Sequence, residues 1–164
     1  MKMWGLVLDC GEDKDDTNVE YGGTVCCHAF RQRQTDFIKD VIEHTGQEYL
    51  ADGVQHRLVI VHNPFTKQLR KPFDIERNLY SYWATLLKNY IKPDIMICGH
   101  LHETFVSEIG SKHDDLGQPC PVVVGSKPKD GYFEGAGFTF RPDRIEVQFT
   151  DSDGKSRKPY TITR

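Results

Sequence analysis

The chain has 164 residues, of which 38% are hydrophobic and 27% charged, with a formal net charge of −3. Those values suit one domain with its own core and leave no basic surface of the kind that holds nucleic acid. No apolar run reaches membrane-spanning length, and the opening Met1-Lys2-Met3-Trp4-Gly5-Leu6-Val7-Leu8 is too short an apolar stretch for a secretory signal. Five cysteines without a Cys-x-x-Cys pair argue against a zinc ribbon or a disulfide framework, so reduced thiols and a cytoplasmic setting are the expectation.

In chain order, residues 5–8 read as a short buried strand, and the acidic, turn-rich stretch 9–17 as a solvated loop. Residues 33–45 read as a helix with Phe37, Ile38, Val41 and Ile42 on one face and Gly46 placed to cap its end. Residues 58–61 form the next apolar strand, which stops at His62-Asn63-Pro64. The clearest helix follows, with Ile75, Leu79, Tyr82, Trp83, Leu86, Leu87 and Tyr90 in one stripe and Asp74 as N-cap; Pro93 bars its continuation. Asp94-Ile95-Met96-Ile97-Cys98 reads as another buried strand, ending at Gly99-His100-Leu101-His102. Beyond it, residues 121–124, 137–141, 145–150 and 159–163 read as strands. Arg141-Pro142-Asp143-Arg144 and Asp151-Ser152-Asp153-Gly154 read as hairpin turns. The expected fold is α/β: a strand–helix–strand–helix–strand part followed by a β-meander, in a single domain over 1–164.

Candidate chemistry concentrates at two strand ends. His100 and His102 follow a glycine that permits close backbone approach, and His62 ends the preceding strand. If the two strands are parallel neighbours joined by the 75–90 helix, all three imidazoles lie at one sheet edge. Three histidines suit zinc, iron, nickel or copper, with a position left open for chemistry. His28, His44, His56 and His113 read as surface or satisfied core residues, and Cys98 as a small core residue. The loop Asp9-Cys10-Gly11-Glu12-Asp13-Lys14-Asp15-Asp16 offers oxygen ligands but reads first as solvated. Lys127-Pro128-Lys129 reads as an exposed loop. Asp151-Ser152-Asp153-Gly154 starts like a calcium loop but lacks the closing glutamate.

His62-Asn63-Pro64 after one strand, an amphipathic helix, and Gly99-His100-Leu101-His102 after the next strand together resemble the C-terminal half of the calcineurin-like metallophosphoesterase family. Leu6-Val7-Leu8-Asp9-Cys10-Gly11-Glu12-Asp13 resembles the strand and loop that follow the family's Asn-His motif, and the closing meander resembles its C-terminal sheet. The resemblance implies a partial metallophosphoesterase-type β-sandwich flanked by helices. It implies that His62 and His100 bind one divalent metal and His102 a second, the two ions being manganese, iron or zinc. The family's Asp-x-His, Gly-Asp-x-x-Asp and Gly-Asn-His motifs have no counterpart in this sequence. The resemblance therefore implies phosphoester hydrolysis by a full-length parent, with this chain alone inactive and at most partly metallated. It also implies that surface left by the absent half drives self-association. Two other readings stand beside it: a non-catalytic metal- or partner-binding module, and a mononuclear three-histidine hydrolase.

Overall fold

A computed structural model describes residues 2–163. Eight strands and two helices run in the order β1 (Lys2–Leu8), α1 (Cys27–Glu43), β2 (Val54–Val61), α2 (Arg77–Leu86), β3 (Ile95–Cys98), β4 (Thr104–Ser107), β5 (Val122–Lys129), β6 (Tyr132–Arg141), β7 (Arg144–Asp151) and β8 (Tyr160–Thr163). The strands form one mixed sheet in the order β1-β2-β3-β5-β6-β7-β8, with β4 pairing β5. β1, β2, β3 and the first half of β5 are parallel neighbours, and the rest of the sheet is antiparallel.

β5 joins the two parts. Val122, Val123 and Val124 pair with β3, whereas Ser126 to Lys129 pair with β6. The Lys127-Pro128-Lys129 segment is therefore strand rather than loop, although exposed as expected. Its proline sits at the antiparallel end, opposite Phe133. β4 has no counterpart in the expected element order; only four residues long, it is too short to show a periodic pattern.

The β-branched runs of the parallel part bury both faces, as parallel strands require. On one face Leu6, Leu8, Val59, Val61, Met96 and Val124 pack against Ile38, Trp83 and Leu87 of the helical layer. On the other, Leu58, Ile95 and Val123 pack against Ile145, Val147, Phe149 and Ile162 of the meander. Each fully buried aliphatic side chain in these layers contributes about 1.5–3 kcal/mol relative to exposure. His56 pins the seam: it is fully buried, its Nε2 lies 2.7 Å from the Arg141 carbonyl, and its ring meets Phe140 edge-on.

Both helices depart from the sequence pattern. α1 starts at Cys27, not at 33, because the Asp16 carboxylate accepts hydrogen bonds from the Cys27 and His28 amides at 3.0 Å each. That cap comes from 11 or 12 residues upstream and leaves no local signature. α1 buries Arg31, Thr35, Ile38 and Val41, while Phe37 faces solvent; the helix ends at His44, not at Gly46. α2 starts after Glu76, which has a positive φ of 53°, so Asp74 is not its cap. Its buried stripe runs through Tyr80, Trp83, Leu87 and Ile91, and Tyr82 and Tyr90 are exposed. A π-helical turn at Leu87–Ile91 rotates the last residues, which moves Ile91 into the core in place of Tyr90.

β1 is the outer strand of the parallel part, and its far edge pairs with no other described strand. Met3, Val7 and Ile60, all on the meander-side face near that edge, are exposed. The meander covers Leu58 and Ile95 but stops short of this corner. No helix among the described residues is long and apolar enough to cross a membrane.

Candidate metal and phosphoester site

The C-terminal ends of β1, β2 and β3 lie side by side, so the segments that follow them share one edge of the sheet. His62 follows β2, and its carbonyl accepts a 2.9 Å hydrogen bond from the Gly99 amide after β3. This bond places His100 against His62: His62 Nε2 and His100 Nδ1 are 3.3 Å apart, and the rings meet at 84°. Two imidazole nitrogens each about 2.0–2.1 Å from one tetrahedral zinc would stand about 3.3 Å apart. The pair thus fits one edge of a metal site as well as it fits a long N–H···N contact.

Gly99 is not needed there for space. A Cβ at this position would lie 3.7 Å from His62 Nδ1, an ordinary contact. The unusual backbone is on the histidines themselves, with φ of 64° at His100 and 51° at His102. A left-handed residue other than glycine carries a conformational cost, and such residues cluster where a chain must aim a side chain. The Leu101 amide donates to the Gly99 carbonyl at 2.7 Å, closing the tight turn between the two histidines. His102 lines the same cavity as His62 and His100.

The acidic loop is largely solvated, with Asp9, Glu12, Asp15 and Thr17 exposed, and it also brings the half-buried Asp13 to the site. Asp13 Oδ2 lies 3.8 Å from His100 Nε2, the ring nitrogen turned away from His62. The loop is held from beneath by Arg31. This side chain is buried, and it donates through Nε to the Cys10 carbonyl at 2.7 Å and through Nη2 to the Glu12 carbonyl at 2.5 Å. Its Nη1 donates to Glu76 at 3.2 Å, and the same carboxylate oxygen lies 2.6 Å from His28 Nδ1. His28 is thus a partner of the network and not an isolated surface histidine. Burial, with His62 next to it, pushes the His100 imidazole below the ordinary histidine range, and Asp13 opposes that shift. Asn63 is buried beside them and lines the cavity formed with Asp13, Lys14, His62 and His100; its Oδ1 has no hydrogen-bond partner among the described residues.

All three expected histidines therefore converge on one sheet edge. Sequence reading offered the 9–16 loop as a source of oxygen ligands but did not single out Asp13, because the placement of the loop depends on an arginine in α1. It also gave Asn63 no weight, since one buried amide has no sequence signature. Among the described residues, no group of three His, Cys, Asp or Glu side chains closes around a single point. The residues present do not fit a two-metal centre; the His62–His100 pair offers two nitrogens 3.3 Å apart, and no reaction step follows from them alone. Compared with protein-family models and with curated proteins, the chain matches none.

Proposed function

We propose that this chain carries the histidine part of a phosphoester-hydrolysing metal site of the metallophosphoesterase type, and that by itself it turns over little or no phosphoester. The observation that carries the reading is the 3.3 Å approach of His62 Nε2 to His100 Nδ1. The ends of adjacent parallel strands, a common place for chemistry in α/β folds, position the pair. Two sheet parts packed face to face with helices on the outer side agree with the sandwich that the sequence resemblance implies.

A divalent metal held there would supply polarisation of a phosphoryl group and a lowered pKa for a bound water. The chain's own contribution is narrower. His62 and His100 offer two nitrogens in fixed geometry, and the Arg31-clamped loop holds Asp13 against the far side of His100. Second-sphere carboxylates of this sort orient a ligating imidazole and fix its tautomer. The missing donors explain the expected lack of turnover, because an incomplete shell binds its ion weakly.

A second reading has its own support. The unpaired β1 edge and the exposed Met3, Val7 and Ile60 beside it favour a module that binds a partner or a second copy of itself. An assay with a generic phosphomonoester and phosphodiester, with manganese added, tests the first reading. Background rates are expected, and metal-dependent turnover at about 1 per second or faster would exclude the account of a chain inactive by itself.

A further inference from the structure

Beside the histidine pair lies a cleft of about 530 Å³, within the usual size of a small-molecule site. Its lining combines two chemistries: Asp13, Arg70 and the three histidines are polar, and Leu69, Phe73 and Leu101 are apolar. Arg70 is exposed, and its guanidinium has no hydrogen-bond or ion-pair partner among the described residues.

Other cations near the site are already committed. Lys14 Nζ lies 3.0 Å from Glu20 and 3.6 Å from Asp13, and sits over the Phe73 ring. Lys67 Nζ contacts His113 at 2.9 Å, and Arg31 is buried against Glu76. Lys14 is shared between Glu20 and Asp13, so Arg70 is the cation of the cleft lining whose guanidinium has no such partner among the described residues. A planar guanidinium with free donors matches a phosphate group in both charge and geometry.

We propose that Arg70 binds the phosphate of a phosphomonoester in this cleft, with the ester's apolar or aromatic arm lying on Leu69, Phe73 and Leu101. The inference rests on the phosphoester reading of the site and adds the substrate class. An unpartnered guanidinium favours the phosphate of a monoester, which carries about −1.5 to −2 charge at neutral pH, over the singly charged phosphate of a diester.

The test is a proton NMR titration of the metal-free chain, held at fixed pH with a chelator present, following the His62, His100 and His102 ring protons. The probes are inorganic phosphate and phenyl phosphate. Both are expected to give saturable shifts, with phenyl phosphate bound about tenfold more tightly through contact with Leu69, Phe73 and Leu101. Arg70→Ala is expected to weaken both anions about tenfold or more, and Arg70→Lys to retain part of the binding. Leu69→Ala is expected to remove the advantage of the phenyl group and leave inorganic phosphate unchanged. The same spectra report whether each variant is folded. Absence of saturable shifts with either anion, or unchanged binding in Arg70→Ala, overturns the proposal; equal binding of the two anions by the unsubstituted chain overturns the apolar arm. Because no metal is present, these outcomes are independent of whether His62 and His100 bind one.

Discussion

His62 Nε2 and His100 Nδ1 lie 3.3 Å apart although 38 positions separate them in sequence. Strand pairing brings them together. β2 and β3 run parallel with Ile60 opposite Ile97, so the residues just past each strand meet at one edge. The Gly99 amide then closes onto the His62 carbonyl and removes the remaining freedom. Two side chains fixed this way are pre-organised for a shared ligand, and from this arrangement follow several expectations about stability, assembly and metal affinity.

Arg31 is the structural support of the acidic loop. Replacing it with methionine leaves the Cys10 and Glu12 carbonyls without their donor and Glu76 without its buried cation. Loss of one partner from a buried network of this kind costs about 3 kcal/mol. Urea denaturation is expected to show a loss of unfolding free energy of that size, read as a lowered midpoint at unchanged slope, and the same variant is expected to lose the contact between Asp13 and His100. A change below about 0.5 kcal/mol would show that the loop holds itself.

Glu134 gives a pH dependence. It is buried at the junction of β4, β6 and the loop before β8, where Thr104 and Arg157 donate to its carboxylate. Burial raises its pKa, but the Thr104 and Arg157 hydrogen bonds more than offset this and hold it below the ordinary 4.5. A carboxyl depressed on folding contributes stability that is present above its unfolded pKa and is lost as pH falls through its folded pKa. The melting temperature of the unsubstituted protein is therefore expected to fall more steeply below pH 4.5 than that of Glu134→Gln. Parallel curves for the two proteins would remove Glu134 from the acid response.

The open corner at β1 predicts association. An unpaired strand edge beside exposed Met3, Val7 and Ile60 offers backbone donors and an apolar patch together. Sedimentation velocity is expected to show oligomers that grow with concentration, and Val7→Lys, which places a charge on the exposed face, is expected to reduce them. A single monomeric species at all concentrations would contradict this prediction.

The order of strands and helices, β4 apart, and the clustering of the histidines were legible because they follow from local pattern. Runs such as Leu58-Val59-Ile60-Val61 and Ile95-Met96-Ile97-Cys98 mark buried parallel strands, and the residues after them share an edge by topology. What was hidden depends on distant contacts. The start of α1 is set by Asp16, the order of the acidic loop by Arg31, and the rotation at Ile91 by a π-turn. Val7 and Ile60 show the converse limit: their pattern reads as buried strand, yet each is exposed because nothing among the described residues covers that corner. Arg70 escaped notice because an arginine in a polar loop gains meaning only from the cleft it lines.

The central claim is that His62 and His100 form one edge of a divalent metal site that this chain does not complete. Cobalt titration followed by visible absorption, with total metal measured after dialysis against zinc, tests it most directly. The account predicts at most one weakly held equivalent, whose affinity falls about tenfold or more in both His62→Ala and His100→Ala. Two tightly held equivalents, or one whose affinity is unchanged by either substitution, would contradict it.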